Sequence, residues 1–447
     1  MSDLNREQRR ASIPRDGVTL VIAGAGTGKT RIIVERIKNI IDSGRAEPEN
    51  ILILTFNRKA AEEIKHRLRT SLGVGVIDIT SGTFHSFCLA FLKDNNDIFL
   101  KSYGFSQFPS ILDQEGVESL KFDLLQDSID QFLGLPIKVV SGLLETIDKL
   151  DQKTLIRLNH LGIISRIRDV NNRINDYKRS RDIIDFRDMM GYTIDILSNN
   201  EGIRNNTIDK YKYILIDEFQ DTSEDNFRLI KLLMHNERSN LFLVGDDWQS
   251  IYGFRGSKVD YIIKMKRYFS YSEIHKLSIN YRSRREIVDL SNRFIKNNRH
   301  RTNKRLRSFK GRGGVVKDYY VEDLRGELEI IQSILVPTEI VSSKIAILYR
   351  NNWQGGYIRD NIQENELLKS DRVELLTMHS SKGLEFDTVI IAGISDDIIP
   401  DASSDLEEER RLLYVALTRA KERLHIIHYK SASGDLSMFA KELGFSI

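Results

Sequence analysis

Seven residues near the start of the chain, Gly24-Ala25-Gly26-Thr27-Gly28-Lys29-Thr30, have the types and spacing needed to hold a polyphosphate. Glycines let backbone N–H groups converge on anionic oxygens at a helix N-terminus. In such a loop Lys29 neutralises the β and γ oxygens, and the Thr30 hydroxyl is a Mg²⁺ ligand. Ala23 stands where the first glycine of the pattern is usual and is still small enough for the tight turn. A metal–nucleotide site also needs a carboxylate on a neighbouring strand. Asp217 and Glu218 supply it: Asp217 as the expected metal ligand, Glu218 as the group that orients and deprotonates an attacking water.

These side chains need strands and helices to aim them. Val18–Ala23 is a short apolar run, expected to be a buried parallel strand that ends at the glycine loop. Ile32, Ile33, Ile37 and Ile40 then follow with helical spacing. Strand, glycine loop and helix form the context a P-loop requires; a glycine turn that merely joins strand to helix does not call for Gly28-Lys29-Thr30 in that register. Residues 211–216 are a second apolar run, and the acidic pair falls at its C-terminal end, where open α/β sheets bind ligands.

Composition bounds the partners. With 67 basic and 64 acidic residues the net charge is only +3, so a nucleic-acid partner requires a local positive groove. Cys88 is the one cysteine, which excludes an internal disulfide and a cysteine-built zinc site. The polar start and the lack of an apolar run of about 18 residues argue against a signal peptide and a membrane span. The expectation is a soluble, cytoplasmic protein with no membrane partner.

Further motifs narrow the class. They are Gly245-Asp246-Asp247-Trp248-Gln249-Ser250, Asn280-Tyr281-Arg282-Ser283, Thr377-Met378-His379, Lys382-Gly383-Leu384-Glu385-Phe386 and Thr418-Arg419-Ala420. Together with the P-loop, and in this order, they resemble the UvrD/Rep family of superfamily 1 DNA helicases over about residues 4–430. Gly245–Gln249, Thr83-Phe84-His85 and Phe56–Glu63 look closest to the DNA helicase IV branch, whereas Lys382–Phe386 looks more like UvrD.

The resemblance implies an α/β fold of two RecA-like motor lobes with parallel sheets, plus a helical insertion in the first lobe. The expected bounds are 1–90 and 184–275 for the first lobe, 91–183 for the insertion and 276–447 for the second lobe. The insertion shows apolar positions such as Leu120, Leu124, Leu125, Ile129, Phe132 and Leu133. The implied activity is ATP hydrolysis driving 3′–5′ movement along single-stranded DNA, with ss/ds junctions as substrate, in repair, recombination or replication. Two alternatives stay open: a strand-stimulated ATPase that unwinds poorly alone, and a DNA-end sensor working with a protein partner such as a nuclease.

Residue roles follow from the same resemblance. Gln8 resembles the adenine reader, Arg31 and Tyr281 the planes that enclose the base, and Glu385 the carboxylate on the ribose. Gln249 is similar to the γ-phosphate sensor, and Arg282 and Arg419 to arginines that reach the γ-phosphate from the second lobe. Thr55, Phe56, Thr83, His85, Tyr252, Phe254, Arg255, Thr377 and His379 occupy positions similar to the strand-binding track. Stacking on such aromatics tolerates any base sequence, which suits a motor. Two basic runs, Lys296–Arg312 with eight Lys or Arg and Arg166–Arg181 with six, are further candidates for phosphate contact.

The departures from the family are equally specific. Only residues 351–376 separate Arg350 from the Thr377 motif, where larger relatives carry a whole domain. The start almost at Gln8 and the end soon after Arg419 imply neither the N-terminal region of helicase IV nor a fused nuclease.

Overall fold

The computed structural model describes residues 4–73, 78–126, 162–335, 344–362, 372–401, 404–429 and 435–446, with a few single positions between 139 and 159. Strands in chain order are β1 (Val18–Ala23), β2 (Ile51–Thr55), β3 (Thr80–Thr83), β4 (Ser110–Leu112), β5 (Ile183–Asp185), β6 (Tyr213–Ile216), β7 (Asn240–Gly245) and β8 (Glu273–Leu277). Then follow β9 (Ile279–Asn280), β10 (Arg307–Ser308), β11 (Val315–Tyr320), β12 (Ile345–Tyr349), β13 (Val373–Thr377), β14 (Phe386–Ile394) and β15 (Ala420–His428).

The chain divides into two compact units, Met1–Gly82 with Thr207–Ile447, and Thr83–Asn206. The first unit holds two large sheets and a two-stranded parallel pair, β9 with β10. One has the order β3-β2-β6-β7-β1-β8, and its β1–β7, β1–β8, β2–β6 and β6–β7 pairs are parallel. The other has the order β11-β15-β14-β12-β13 and is parallel at every pairing. The fold is therefore α/β with parallel sheets. Strands such as β1 and β12 are buried along their whole length, as expected where helices cover both faces.

Packing explains why each sheet holds its register. Ile32, Ile33 and Ile37 of the helix Lys29–Asp42 pack with Val21, Ile53 and Leu215 in the core of the first sheet. The second sheet has a core on each face: Ile347, Ile390 and Ile427 on one, Leu348, Ile391 and Ile426 on the other. Trp248 and Ile251, from the loop after β7, are embedded in the latter core. The first sheet's loop is thus anchored in the hydrophobic interior of the second.

The second unit is mainly helical, with β4 and β5 as a two-stranded parallel pair. Its boundaries, 83 and 206, lie outside the expected 91 and 183. The reason is local: the helix Phe186–Asn199 packs on Phe84–Asp94, and β5 pairs with β4 inside this unit. Leu120 and Leu125 are buried with Ile163, Ile167 and Val170. The Leu124 side chain, Ile129, Phe132 and Leu133 lie outside the described residues.

Candidate functional site

The glycine loop begins where β1 ends and closes at Gly28, the N-cap of the helix Lys29–Asp42. Gly26 and Gly28 have φ of +67° and +86°, a region that side-chain-bearing residues rarely adopt. A Cβ on Gly26 would also lie 2.7 Å from the Arg282 Cβ. Two segments brace the loop: Asn280 Nδ2 donates to the Ala25 carbonyl at 2.8 Å, and the Tyr281 N–H donates to the Gly26 carbonyl at 2.8 Å. The Thr27 hydroxyl turns back to the Gly24 carbonyl at 2.8 Å.

Lys29 leaves the first turn of that helix and meets Glu218 at 2.8 Å. Burial alone would lower its pKa, but the carboxylates of Glu218, Asp246 and Asp217 outweigh this and the net shift is upward. Glu218 follows β6 with φ +50°, a strained setting for a side-chain-bearing residue that recurs at functional sites. Burial would raise its pKa; Lys29 and Lys382 pull it down instead. Asp217, beside it, is pushed up by burial and by the Glu218 charge. The pair is split electrostatically into one firmly ionised carboxylate and one whose charge calls for a cation.

That donor set fits Mg²⁺. Among the described residues no group of three or more His, Cys, Asp or Glu forms a metal cage. Mg²⁺ in nucleotide sites takes one or two protein oxygens, with substrate phosphates and water completing the shell. Asp217 and Thr30 would be those oxygens.

A continuous hydrogen-bonded chain leads from Lys29 to the second sheet. Glu218 Oε2 accepts from Gln220 Nε2 at 2.6 Å, and Gln220 Oε1 accepts the Asp246 N–H at 2.8 Å. The Asp246 carboxylate accepts from Gln249 Nε2, and Gln249 Oε1 accepts from Arg419 Nη2 at 3.1 Å. Arg419 is fully buried and donates otherwise to the Val415 and Leu384 carbonyls and the Thr418 hydroxyl. Among the described residues it makes no ion pair. Burial, with Arg282 nearby, lowers its pKa to about 9. A desolvated guanidinium bonded only to neutral oxygens is strongly receptive to an anion.

Arg282 binds Glu385 at 2.9 Å and the Thr418 carbonyl at 3.2 Å, and Lys421 also reaches Glu385 at 2.9 Å. Glu385, expected on a ribose, is here the partner of two cations. Tyr281 accepts from Asn5 Nδ2 at 2.8 Å and lies beside the loop; Arg31 is half-buried in the helix's first turn.

Two of the expected contact residues are engaged with backbone in this structure. Gln8, expected to read adenine, is fully buried, its Nε2 donating to the Thr27 carbonyl and its Oε1 accepting the Asn5 N–H, so its amide braces the loop. Thr55, expected on the strand track, is also fully buried, its hydroxyl donating to the Asn57 carbonyl at 2.9 Å, so it shapes the turn after β2. In both cases a short polar side chain satisfies nearby backbone groups, as buried positions require.

An aromatic cluster joins the loop after β7 of the first sheet to the turn after β13 of the second. The Phe254 ring, 66% exposed, is edge-on to Tyr252 at 6.0 Å and to His379 at 5.8 Å. Arg255 spans both rings, 5.4 Å from Tyr252 and 5.5 Å from Phe254. Burial, with Arg350, Arg255 and Lys382, lowers the His379 pKa to about 4, so this imidazole is neutral at pH 7. Thr377 Oγ1 is 2.8 Å from Ser380 Oγ and accepts the Ser380 N–H. Phe56 is half-buried after β2. Thr83 and His85 belong to the helical unit, where Thr83 caps the helix Phe84–Asp94 and the His85 ring lies 5.3 Å from Phe186.

Sequence reasoning missed the residues that join these parts. Lys382 donates to Asp221 at 2.6 and 2.8 Å and to the Gln249 carbonyl at 3.0 Å, with its ammonium 4.6 Å from the Tyr252 ring centroid. Asp246 falls within the Gly245–Ser250 motif and Gln220 lies two residues after Glu218, but only their hydrogen bonds show them as links. The basic runs are partly structural: Lys304 is buried against Asp246 and Asp247, Lys310 pairs with Glu422, and Lys178 with Asp185 and Asp188.

A lysine-bearing glycine loop at the carboxyl ends of parallel strands, with Arg419 beside β15 of a second parallel sheet and Arg282 in the turn after β9, defines a P-loop nucleotide-binding protein built on two large parallel sheets. The UvrD/REP helicase N-terminal domain matches residues 4–270, and the UvrD-like helicase C-terminal domain matches 275–367 and 358–431. The chain belongs to the UvrD/Rep helicase family. It is 29% identical over 456 residues to a probable DNA helicase of Mycoplasma pneumoniae, covering 96% of this chain and 83% of that protein. It is 32% identical over 357 residues to the ATP-dependent DNA helicase Rep of Buchnera aphidicola subsp. Schizaphis graminum, covering 78% and 54%. The ATP-dependent DNA helicase PcrA of Staphylococcus aureus is 29% identical over 381 residues, covering 82% and 50%. The chain thus spans about half the length of the Rep and PcrA relatives it matches. No helix among the described residues is long and apolar enough to cross a membrane.

Proposed function

We propose that this protein is an ATP-dependent DNA helicase or translocase that moves 3′ to 5′ along single-stranded DNA. The observation that carries this reading is the unbroken chain from Lys29 through Glu218, Gln220, Asp246 and Gln249 to Arg419. In this reading ATP phosphates lie on the glycine loop and are neutralised by Lys29. Mg²⁺ held by Asp217 and Thr30 would offset charge on the phosphate oxygens. Glu218 holds the attacking water, and Arg282 from the turn after β9 and Arg419 from the start of β15 meet the γ-phosphate. Arginines used in this way contribute roughly 10³–10⁵ in rate.

Lys382 extends the same network to Tyr252, and so to the ring cluster with Phe254 and His379. Exposed rings with Arg255 beside them suit bases and phosphates of a single strand. Within the family, the residues after β7 favour the helicase IV branch. The short span 351–376 favours a second reading, a strand-stimulated ATPase that needs a protein partner to separate a duplex.

Strand displacement on partial duplexes tests the proposal. Displacement with ATP from 3′-tailed substrates is expected. Displacement from 5′-tailed substrates alone overturns the polarity, and ATP turnover without displacement from either favours the second reading.

A further inference from the structure

Phe309 is 69% exposed, among the most exposed large apolar side chains of the described residues, yet nothing about its backbone is loose. Its N–H donates to the Asn280 carbonyl at 2.8 Å, directly after β10 pairs with β9. The residues on either side are fastened as well. Ser308 Oγ donates to the Ser283 carbonyl at 2.7 Å, and Lys310 pairs with Glu422 at 2.7 Å. Leu306, three residues earlier, lies so close to the glycine loop that a Cβ on Gly24 would fall 2.4 Å from it. The chain from Leu306 to Lys310 is therefore a fixed wall beside the phosphate loop, and it holds a bare phenyl ring outward.

Among the described residues that ring has one aromatic neighbour. Its centroid is 5.0 Å from that of Tyr281, the planes inclined by 42°. Tyr281 is bonded to the loop itself through its N–H on the Gly26 carbonyl. A nucleotide whose phosphates occupy this loop carries its base one ribose beyond them, and the Tyr281–Phe309 pair is an aromatic surface fastened beside that loop. Exposing so much of a phenyl ring to water is unfavourable unless an apolar face covers it, and a planar base is a face of the right shape.

We propose that Phe309 is a nucleotide-binding residue that adds a second, inclined ring beside Tyr281 at the base and sets a preference for purine over pyrimidine triphosphates. The proposal rests on the reading of the loop as an ATP site. Stacking gains with the area of the base, so a two-ring surface discriminates by size while reading no hydrogen-bonding edge.

The test compares wild type with Phe309→Ala, Phe309→Tyr and Phe309→Trp, measuring KM and kcat for ATP, GTP, CTP and UTP. Phe309→Ala is expected to raise the KM for ATP and GTP roughly 5- to 100-fold. The effect on CTP and UTP should be smaller, so the purine-to-pyrimidine ratio falls, and Phe309→Tyr should restore both. In Phe309→Trp, fluorescence above the wild-type background should change on adding the slowly hydrolysed analogue ATPγS. An unchanged KM and ratio in Phe309→Ala, in protein that still binds ATP, overturns this proposal alone. Weakened single-strand binding with unchanged KM overturns it too, and gives the ring to the DNA instead. Wild-type protein that binds no triphosphate sinks the underlying site as well.

Discussion

Arg419 holds a full guanidinium charge at a place where water is excluded. Its acceptors are backbone carbonyls, the Thr418 hydroxyl and the Gln249 amide oxygen, none of them charged. A planar fork in that setting is not replaced by a lysine, which has a different geometry and stronger hydration. Arg419→Lys should therefore lower kcat for ATP by about 10³-fold or more while moving KM far less. Steady-state kinetics, with a melting curve to confirm folding, checks this; near-normal kcat would remove Arg419 from the chemistry. At this scale the sequence places Lys29, Asp217, Glu218 and the two arginines in short motifs whose chemistry is tied to residue type, and the structure sets Lys29 against Glu218 and Gln249 against Arg419. Type and position do not show that Gln8 and Thr55 are buried and bonded to nearby backbone, which only the fold brings out.

The loop after β7 is the element on which both sheets depend. Trp248 is fully buried, donates to the Thr302 carbonyl at 3.3 Å and meets Tyr414 edge-on at 5.6 Å. Lys304 lies over the same indole, 4.5 Å from its centroid, and is the countercharge for both Asp246 and Asp247. Those side chains have relative exposures of only 2% and 0%. Removing the lysine leaves two carboxylates buried without it, a change that typically costs about 3–5 kcal/mol. Lys304→Ala is expected to lose stability of that order in a chemical denaturation experiment, and a loss below about 1 kcal/mol would show that the aspartates find another partner. The strands and the helix after the glycine loop were legible from hydrophobic runs. Lys304 was not, because a basic run in sequence does not distinguish a solvated cation from one folded back onto acids far along the chain.

For the whole molecule the decisive feature is the tie between nucleotide chemistry and the exposed rings. It passes through Lys382, which holds Asp221 and the Gln249 carbonyl while lying over Tyr252. Burial pushes the Asp221 carboxyl up to about 6, against the opposing pull of Lys382. The sign follows directly: above pH 6 Asp221 is ionised and holds the lysine, and below it the carboxyl takes a proton and the ion pair is lost. Stimulation of ATP turnover by single-stranded DNA should therefore fall as pH drops through about 6. Asp221→Asn should show weak stimulation at every pH and lack that step; a step of wild-type size in the variant would assign it elsewhere. The division into two parallel sheets was readable from motif order, whereas the extent of the helical unit was not. Its ends are set by β4–β5 pairing and by helix packing between residues about a hundred positions apart.

In the proposed mechanism one buried network joins the phosphate site to the strand-binding surface, and ATP turnover with and without single-stranded DNA measures that junction directly. Low turnover by the protein alone and a large rise on adding single-stranded DNA, lost in Lys29→Ala, are expected. Equal turnover with and without the strand, in wild-type protein shown to bind it, would contradict the proposed coupling.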